Sequence, residues 1–168
     1  MRVAVTGTPG TGKTTATDRL EIPLDVVHLN DVIREAGLTQ GHDDERDTLV
    51  ADIDAVASWL AGREDVLFES HLAHHLEADR VVVLRCHPGE IESRLESRGE
   101  PPATVAENAE SEALDVVLAE AVEEHGTDSV YEIDTTDRSP DAVATAVEAV
   151  VACEREPAAG TVSFLEYI

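Results

Sequence analysis

The residues Gly7-Thr-Pro-Gly-Thr-Gly12-Lys13-Thr14 carry the spacing G-x-x-x-x-G-K-[ST], set between an apolar run that reads as a strand and a stretch that reads as a helix. Each residue type has a task in holding phosphate. Glycines let the backbone wrap closely and turn N–H groups toward phosphate oxygens. A helix N-terminus adds partial positive charge. Lys13 extends a compact charge to the β- and γ-phosphates, and Thr14 offers a hydroxyl to Mg²⁺. The pattern points to a nucleoside triphosphate and leaves the reaction open. Lys13 is also the only lysine in the chain; the other eleven basic residues are arginines.

A second acid should reach the metal from the end of a neighbouring strand. The segment DVLFESH offers Glu69, with His71 two residues on. Glu is one methylene longer than Asp, which suits a water-mediated contact. His71 is followed by His74 and His75, but no cysteine or second acid there completes a ligand set, so the spacing argues against a structural zinc site.

Phosphoryl transfer needs positive charge around the phosphates and an acceptor held in line. With so few cations, arginine placement carries information. Arg85 ends an apolar run, Arg94 and Arg98 lie four apart on one helix face, Arg138 follows the last strand, and Arg34 lies on a short helix after Asp31. A surface ion pair is the competing role for each. Arg98 differs because it precedes Gly99 in the turn RGEPP, where a mobile arginine-bearing lid could hinge.

These residues need a scaffold, and the apolar pattern supplies one. Strands are expected at 3–6, 24–28, 65–69, 80–85 and 129–133. Helices are expected at about 12–20, 31–36, 44–61, 88–98, 103–125 and 140–152, with the polar stretch TQGHDDE left as a connection. The helix over 44–61 rests on Leu49, Ile53, Val56, Ala57 and Leu60 at helical spacing. Strands alternating with helices imply an α/β fold, a parallel sheet covered on both faces. No internal repeat or linker marks a second domain. The tail EREPAAGTVSFLEYI is expected to pack back onto the core, with partner docking the alternative.

Composition bounds the rest. Acidic residues outnumber basic ones 36 to 12, giving a formal charge of −24, while apolar residues make up 42% and aromatics 3%. Apolar residues at regular spacings argue against disorder. A globular chain so charged repels itself at low salt, which points to a halophile's cytoplasm. With no basic patch, direct nucleic-acid binding is not expected. Cys86 and Cys153 have no C-x-x-C spacing and read as reduced thiols. No signal-like leader and no apolar run of ~18 residues is found, so a cytoplasmic protein with no membrane association is expected.

Six segments fall in a familiar order: TGTPGTGKTT, VHLNDVIREAGL, DDERDTLVADID, VVVLR, RLESRGE and ENAESEALDVVLAEA. Over about residues 1–150 the chain resembles the adenylate-kinase-like NTPases of archaea and eukaryotes, which include adenylate kinase isoenzyme six, the coilin-interacting nuclear ATPase. The resemblance implies a nucleoside monophosphate kinase core over 1–153, with parallel strand order 2-3-1-4-5 and a tail at 154–168. It implies a monophosphate-binding region at about 28–51 and a lid at about 97–107. It implies reversible phosphate transfer between ATP and AMP or other monophosphates, ATPase activity, and a role in late small-ribosomal-subunit (16S rRNA) maturation through a ribosomal protein of the platform. ATP and Mg²⁺ are the implied cofactors.

By position, the resemblance gives Gly10, Gly12, Lys13, Thr14, Thr15, Arg98 and Arg138 to ATP, with Arg138 near the adenine. It matches Asp31 and Arg34 to the acceptor, to which arginine placement adds Arg85 and Arg94 as candidates, and Lys13, Glu69, His71 and Arg98 are assigned to catalysis. Two departures stand out. The family's acid-x-His motif usually has Asp where this chain has Glu69, and the loop LAHHLEA is shorter and lacks an aromatic-rich stretch. An ATP-driven assembly factor with incidental kinase activity, or a kinase of another small metabolite, are the alternative readings.

Overall fold

The computed structural model describes residues 1–45 and 48–168. Five parallel strands form the central sheet: β1 (Arg2–Thr6), β2 (Asp25–His28), β5 (Val66–Glu69), β6 (Arg80–Arg85) and β7 (Val130–Asp134). They lie in the order β2-β5-β1-β6-β7. Counting only these five, that is the expected order 2-3-1-4-5. Strands β3 (Thr39–Asp43) and β4 (Thr48–Ala51) form a separate antiparallel pair.

Side-chain alternation along the strands splits the core in two. Val3, Val5, Leu67, Val82, Leu84 and Ile133 face α1 (Lys13–Thr17) and α7 (Pro140–Val151). Ala4, Val66, Phe68, Val81, Val83 and Val130 face the other way, toward α2 (Leu29–Ala36), α3 (Ile53–Leu60) and α6 (Val116–His125). Both faces are buried, so these strands read as continuous apolar runs. A third cluster of Cys86, Ile91, Leu95 and Val105 joins α4 (Pro88–Ser97) to α5 (Pro102–Ala113).

Local signals set the helix ends. Asp52 accepts from Ala55 N at 3.1 Å to start α3, and Ser139 accepts from Ala142 N at 3.1 Å to start α7, with Pro140 in its first turn. Gly37 closes α2 in left-handed backbone. The short α1 ends at Thr17, whose hydroxyl donates back to Lys13 O at 2.9 Å.

Two expectations need correcting. The helix expected over 44–61 begins only at Ile53; Thr48–Ala51 pairs with Thr39–Asp43, so the stretch taken as a connection is a strand. Leu49, counted toward the helix, is 61% exposed on the hairpin. Arg46 and Asp47, within the DDERDTLVADID segment, lie outside the described residues. The helix expected over 103–125 is two helices, broken at Leu114–Asp115, where Asp115 takes a positive φ of 57°. Arg85 braces the break: its guanidinium binds the Glu112 carbonyl at 3.2 Å and the Asp115 carboxylate.

The tail packs back, as expected. Ala158 bridges Tyr131 in parallel, and Thr161 donates through its N–H (2.7 Å) and hydroxyl (2.9 Å) to Glu132. Phe164 lies edge-on to His87 with ring centroids 5.6 Å apart.

Candidate active site

Strand β1 delivers the chain into the glycine loop at the sheet's carboxyl edge, where doubly wound sheets bind ligands. Gly7 makes this possible. Its φ is +148°, and a Cβ there would sit 2.6 Å from Leu84 O on β6, so the loop approaches the next strand as only glycine allows. Three contacts then fix the loop. Thr8 Oγ1 donates to Glu112 at 2.6 Å, Arg94 donates to Gly10 O at 2.9 Å, and Thr135 Oγ1 donates to Thr11 O at 3.1 Å. Each comes from a different element, so the cradle is preorganised.

Lys13 opens α1 with its side chain inside the loop, 8% exposed, donating to Gly7 O at 2.8 Å and Thr8 O at 3.1 Å. An ammonium has three donors, so one remains for a phosphate oxygen. Burial draws its pKa down to about 8, against the attraction of Glu69 and Glu112, while Arg98 adds to the lowering.

Glu69 ends β5 beside the cradle and is buried. Its Oε1 accepts from Thr14 Oγ1 at 3.0 Å and contacts His28 Nδ1 at 2.8 Å. A hydroxyl and a carboxylate held together beside a phosphate cradle are oxygen donors of the kind Mg²⁺ takes, so the residues fit that ion. His28 lies opposite Glu69 across β2 and β5, and its Nε2 is 3.0 Å from Asp18. Burial disfavours charge on His28, but Glu69 and Asp18 outweigh it and raise the pKa. Sequence reasoning placed His28 only at the edge of a region, because its contact with Glu69 depends on strand register.

His71 lines the same cavity of about 120 Å³, with Pro9, Gly10, Gly12, Lys13, Thr14, Thr15, Asn30, Glu69 and Arg98. Burial, then the charges of Lys13, His74 and His75, push the imidazole down to about 4, so it is neutral near pH 7. A second cavity of about 210 Å³ adjoins it, lined by Gly12, Thr15, Arg94, Arg98, Thr135, Arg138 and Val143 among others. The fold therefore gathers Arg94, Arg98 and Arg138 around the loop. Arg98 caps α4 at the surface, before Gly99.

Three expected site residues lie elsewhere. Arg85 is 1% exposed, and its guanidinium is committed to Glu112 (2.8 Å), Glu132 (2.6 Å) and Asp115. It braces the helix that holds Thr8 and does not reach the cradle. Its position as a strand-end cation suggested a ligand, but alternation with Val81 and Val83 turns it inward. Asp31 and Arg34 pair with each other on the exposed side of α2, outside both cavities.

A parallel sheet of this order, with a phosphate loop after β1 and an acid at the end of β5, defines a P-loop kinase fold. Solved structures agree: a shikimate kinase from Acinetobacter baumannii superposes with a TM-score of 0.62 at 16% identity, covering 92% of this chain and 94% of that one. A family model described as an AAA domain matches residues 3–115. Proteins from Natronomonas pharaonis (68% identical) and Halobacterium salinarum (61%), both named "Putative adenylate kinase", align over the full length of both chains. A protein of that name from Methanothermobacter thermautotrophicus is 44% identical over 96% of each chain. The chain belongs to this archaeal family of adenylate kinase homologues, built on an AAA-type P-loop domain.

Proposed function

We propose that this protein is a nucleoside monophosphate kinase that moves phosphate reversibly between ATP and AMP or a related monophosphate. The observation that carries this reading is the cradle itself: a buried Lys13 beside Thr14 and Glu69, with Arg94, Arg98 and Arg138 on the adjoining cavity.

In this reading Gly10, Gly12, Thr15 and the first-turn N–H groups of α1 bind the ATP phosphates, and Lys13 neutralises charge as it passes toward the transferred group. Thr14 and, through water, Glu69 would hold Mg²⁺, which would supply positive charge to offset that of the phosphates. Arg98 closes from the lid at 97–107, and Arg138 borders the base. Neutral His71 sits within the cavity as a hydrogen-bond partner for an attacking or leaving oxygen. Residues 28–51 form the monophosphate side, with Asp31 and Arg34 reaching the acceptor only if α2 swings over the cradle. Arg85 acts indirectly, as a brace for the helix that anchors Thr8 of the phosphate loop.

The finer reading adds a cytoplasmic ATPase activity and a role in late small-subunit maturation, as in the isoenzyme-six type. It rests on the sequence resemblance and on charge: at −24 the natural partner is a basic ribosomal protein, not rRNA. One assay separates the readings. ATP turnover is measured in molar KCl with AMP, CMP, dAMP or no acceptor, following ADP and free phosphate. The expected result is ADP formation that requires a monophosphate. Phosphate release indifferent to acceptor but stimulated by a ribosomal protein favours the assembly role. No turnover under any condition overturns both.

A further inference from the structure

Behind the phosphate loop, the turn after Glu69 meets α6 and brings together groups the nucleotide chemistry does not use. His74, His75 and Glu120 place one ligand atom each within 4.8 Å of one another. His74 Nε2 lies 2.9 Å from Glu120 Oε2, and His75 Nε2 lies 4.0 Å from the same oxygen. Ligand atoms around a tetrahedral zinc, with bonds of about 2 Å, stand roughly 3.3 Å apart, which these two distances bracket. The sequence hid this acid because Glu120 is 45 residues beyond His75 and arrives only when α6 packs on the turn.

The remaining ring nitrogens are already engaged. His74 Nδ1 bonds Thr6 Oγ1 at 2.7 Å, and His75 Nδ1 bonds Glu124 Oε1 at 2.6 Å. Without a metal the short contact is a hydrogen bond from His74 Nε2 to Glu120; with one bound, each neutral ring would keep its proton on Nδ1 and turn its Nε2 lone pair to the ion. Metal-binding histidines are held in this way by a carboxylate or other acceptor on the far nitrogen. Glu120 and Glu124, one helical turn apart, thus divide into ligand and support. His125 adds a contact to His74 O at 2.6 Å, fixing the turn. The two rings lie against each other with centroids 4.0 Å apart, which brings both Nε2 atoms to the same side of Glu120.

We propose that His74, His75 and Glu120 bind a divalent transition metal of the zinc class, supported by Glu124 and Thr6. Two imidazoles and one carboxylate suit Zn²⁺ or Co²⁺ and not Mg²⁺, which prefers oxygen throughout. His75 and Glu120 are partly exposed, leaving a fourth position to water. The site ties the turn after His71 to α6 and, through Thr6, to the strand residue preceding Gly7. It is therefore a structural clasp behind the cradle, independent of whichever phosphate acceptor the enzyme uses.

The test uses the full chain, cleared of metal by chelation, in molar KCl without nucleotide, where counter-ion condensation on the acidic surface is screened to about 3 Å. Co²⁺ is titrated while its visible absorption is followed, and Zn²⁺ then competes. One Co²⁺ per chain, with an intense visible band displaced by one equivalent of Zn²⁺, is expected. His75→Gln and Glu120→Gln, both at partly exposed positions, should bind at least tenfold more weakly while keeping the wild-type far-UV spectrum. Glu124→Gln should weaken binding by about 10- to 100-fold although it supplies no ligand atom. His87, away from the site, caps α4 by accepting from Gly89 N at 3.0 Å, and His87→Asn, which can keep that cap, should bind as wild type. Absence of a saturable band, or equal binding by wild type and His75→Gln, overturns the proposal.

Discussion

Lys13 faces two demands that pull in opposite directions. Burial inside the loop disfavours its charge, while nearby Glu69 and Glu112 favour it without fully offsetting the burial. A slender amine on a flexible stem meets both, whereas a guanidinium needs a planar fork of space that the tight loop does not offer. Lys13→Ala should lower ADP formation by about 10²-fold or more, the usual loss for one transition-state donor. Lys13→Arg should recover little of it despite keeping the charge. Steady-state turnover with AMP in molar KCl checks both; activity near wild type in Lys13→Arg would refute the steric argument. The two thiols give a second test at this scale. Cys86 is buried, and burial pushes its pKa up to about 12, with Arg94 opposing, while Cys153 is exposed. At pH 8 a thiol with that pKa is thiolate in roughly one molecule in 10⁴. Ellman's reagent should therefore titrate one thiol per native chain at pH 8 and a second only on unfolding. Two fast thiols in the native protein would contradict the packing around Cys86. The sign for stability follows: the unfolded thiol ionises first, so Cys86 costs stability as pH rises above its ordinary value of 9 toward 12.

At the scale of elements, Arg85 ties several parts of the fold together. It links β6 to α5 through Glu112, to the α5–α6 break through Asp115, and to β7 through Glu132, which in turn holds Thr161 of the tail. Removing the guanidinium leaves buried carboxylates uncompensated, which costs about 3–5 kcal/mol. Arg85→Met should accordingly lower Tm by about 6 °C or more in molar KCl. It should also weaken nucleotide binding, because Glu112 anchors Thr8 of the loop. Calorimetry with a parallel ATP titration tests this, and a Tm within a degree of wild type would show that the network is not structural. The same residue shows what a sequence can and cannot reveal. The phosphate loop was legible because its chemistry is local, eight residues whose types and spacing serve one task. Glu69 was legible because it ends an apolar strand. Arg85, His28 and Glu120 were not, since their roles depend on which residues other elements bring alongside. The β3–β4 hairpin escaped notice for another reason: Leu49 and Val50 are exposed, so no alternation of buried and exposed residues marks the strand.

For the whole molecule, the unusual term is charge. Thirty-six acidic residues against twelve basic ones leave −24 on a chain of 168 residues, three acids for every cation available to pair with them. Repulsion among like charges on a compact surface exceeds that in an expanded chain, so low salt favours unfolding. Raising salt shortens the Debye length from about 10 Å at 0.1 M to about 3 Å at 1 M and removes most of that penalty. The core has little reserve against it, being built from Val, Leu, Ile and Ala with few aromatics. Tm should therefore climb steeply between 0.1 and 1 M KCl and then flatten, and dilution to 10 mM should unfold a substantial fraction of the protein. Buried pairs such as Arg85–Glu112 are screened far less, so Arg85→Met should lower Tm by a similar amount at 1 and 3 M KCl. The two effects separate cleanly in a salt series of thermal melts. A wild-type Tm independent of KCl across this range would mean that surface repulsion is not what limits stability, and that the acidic surface exists for another purpose.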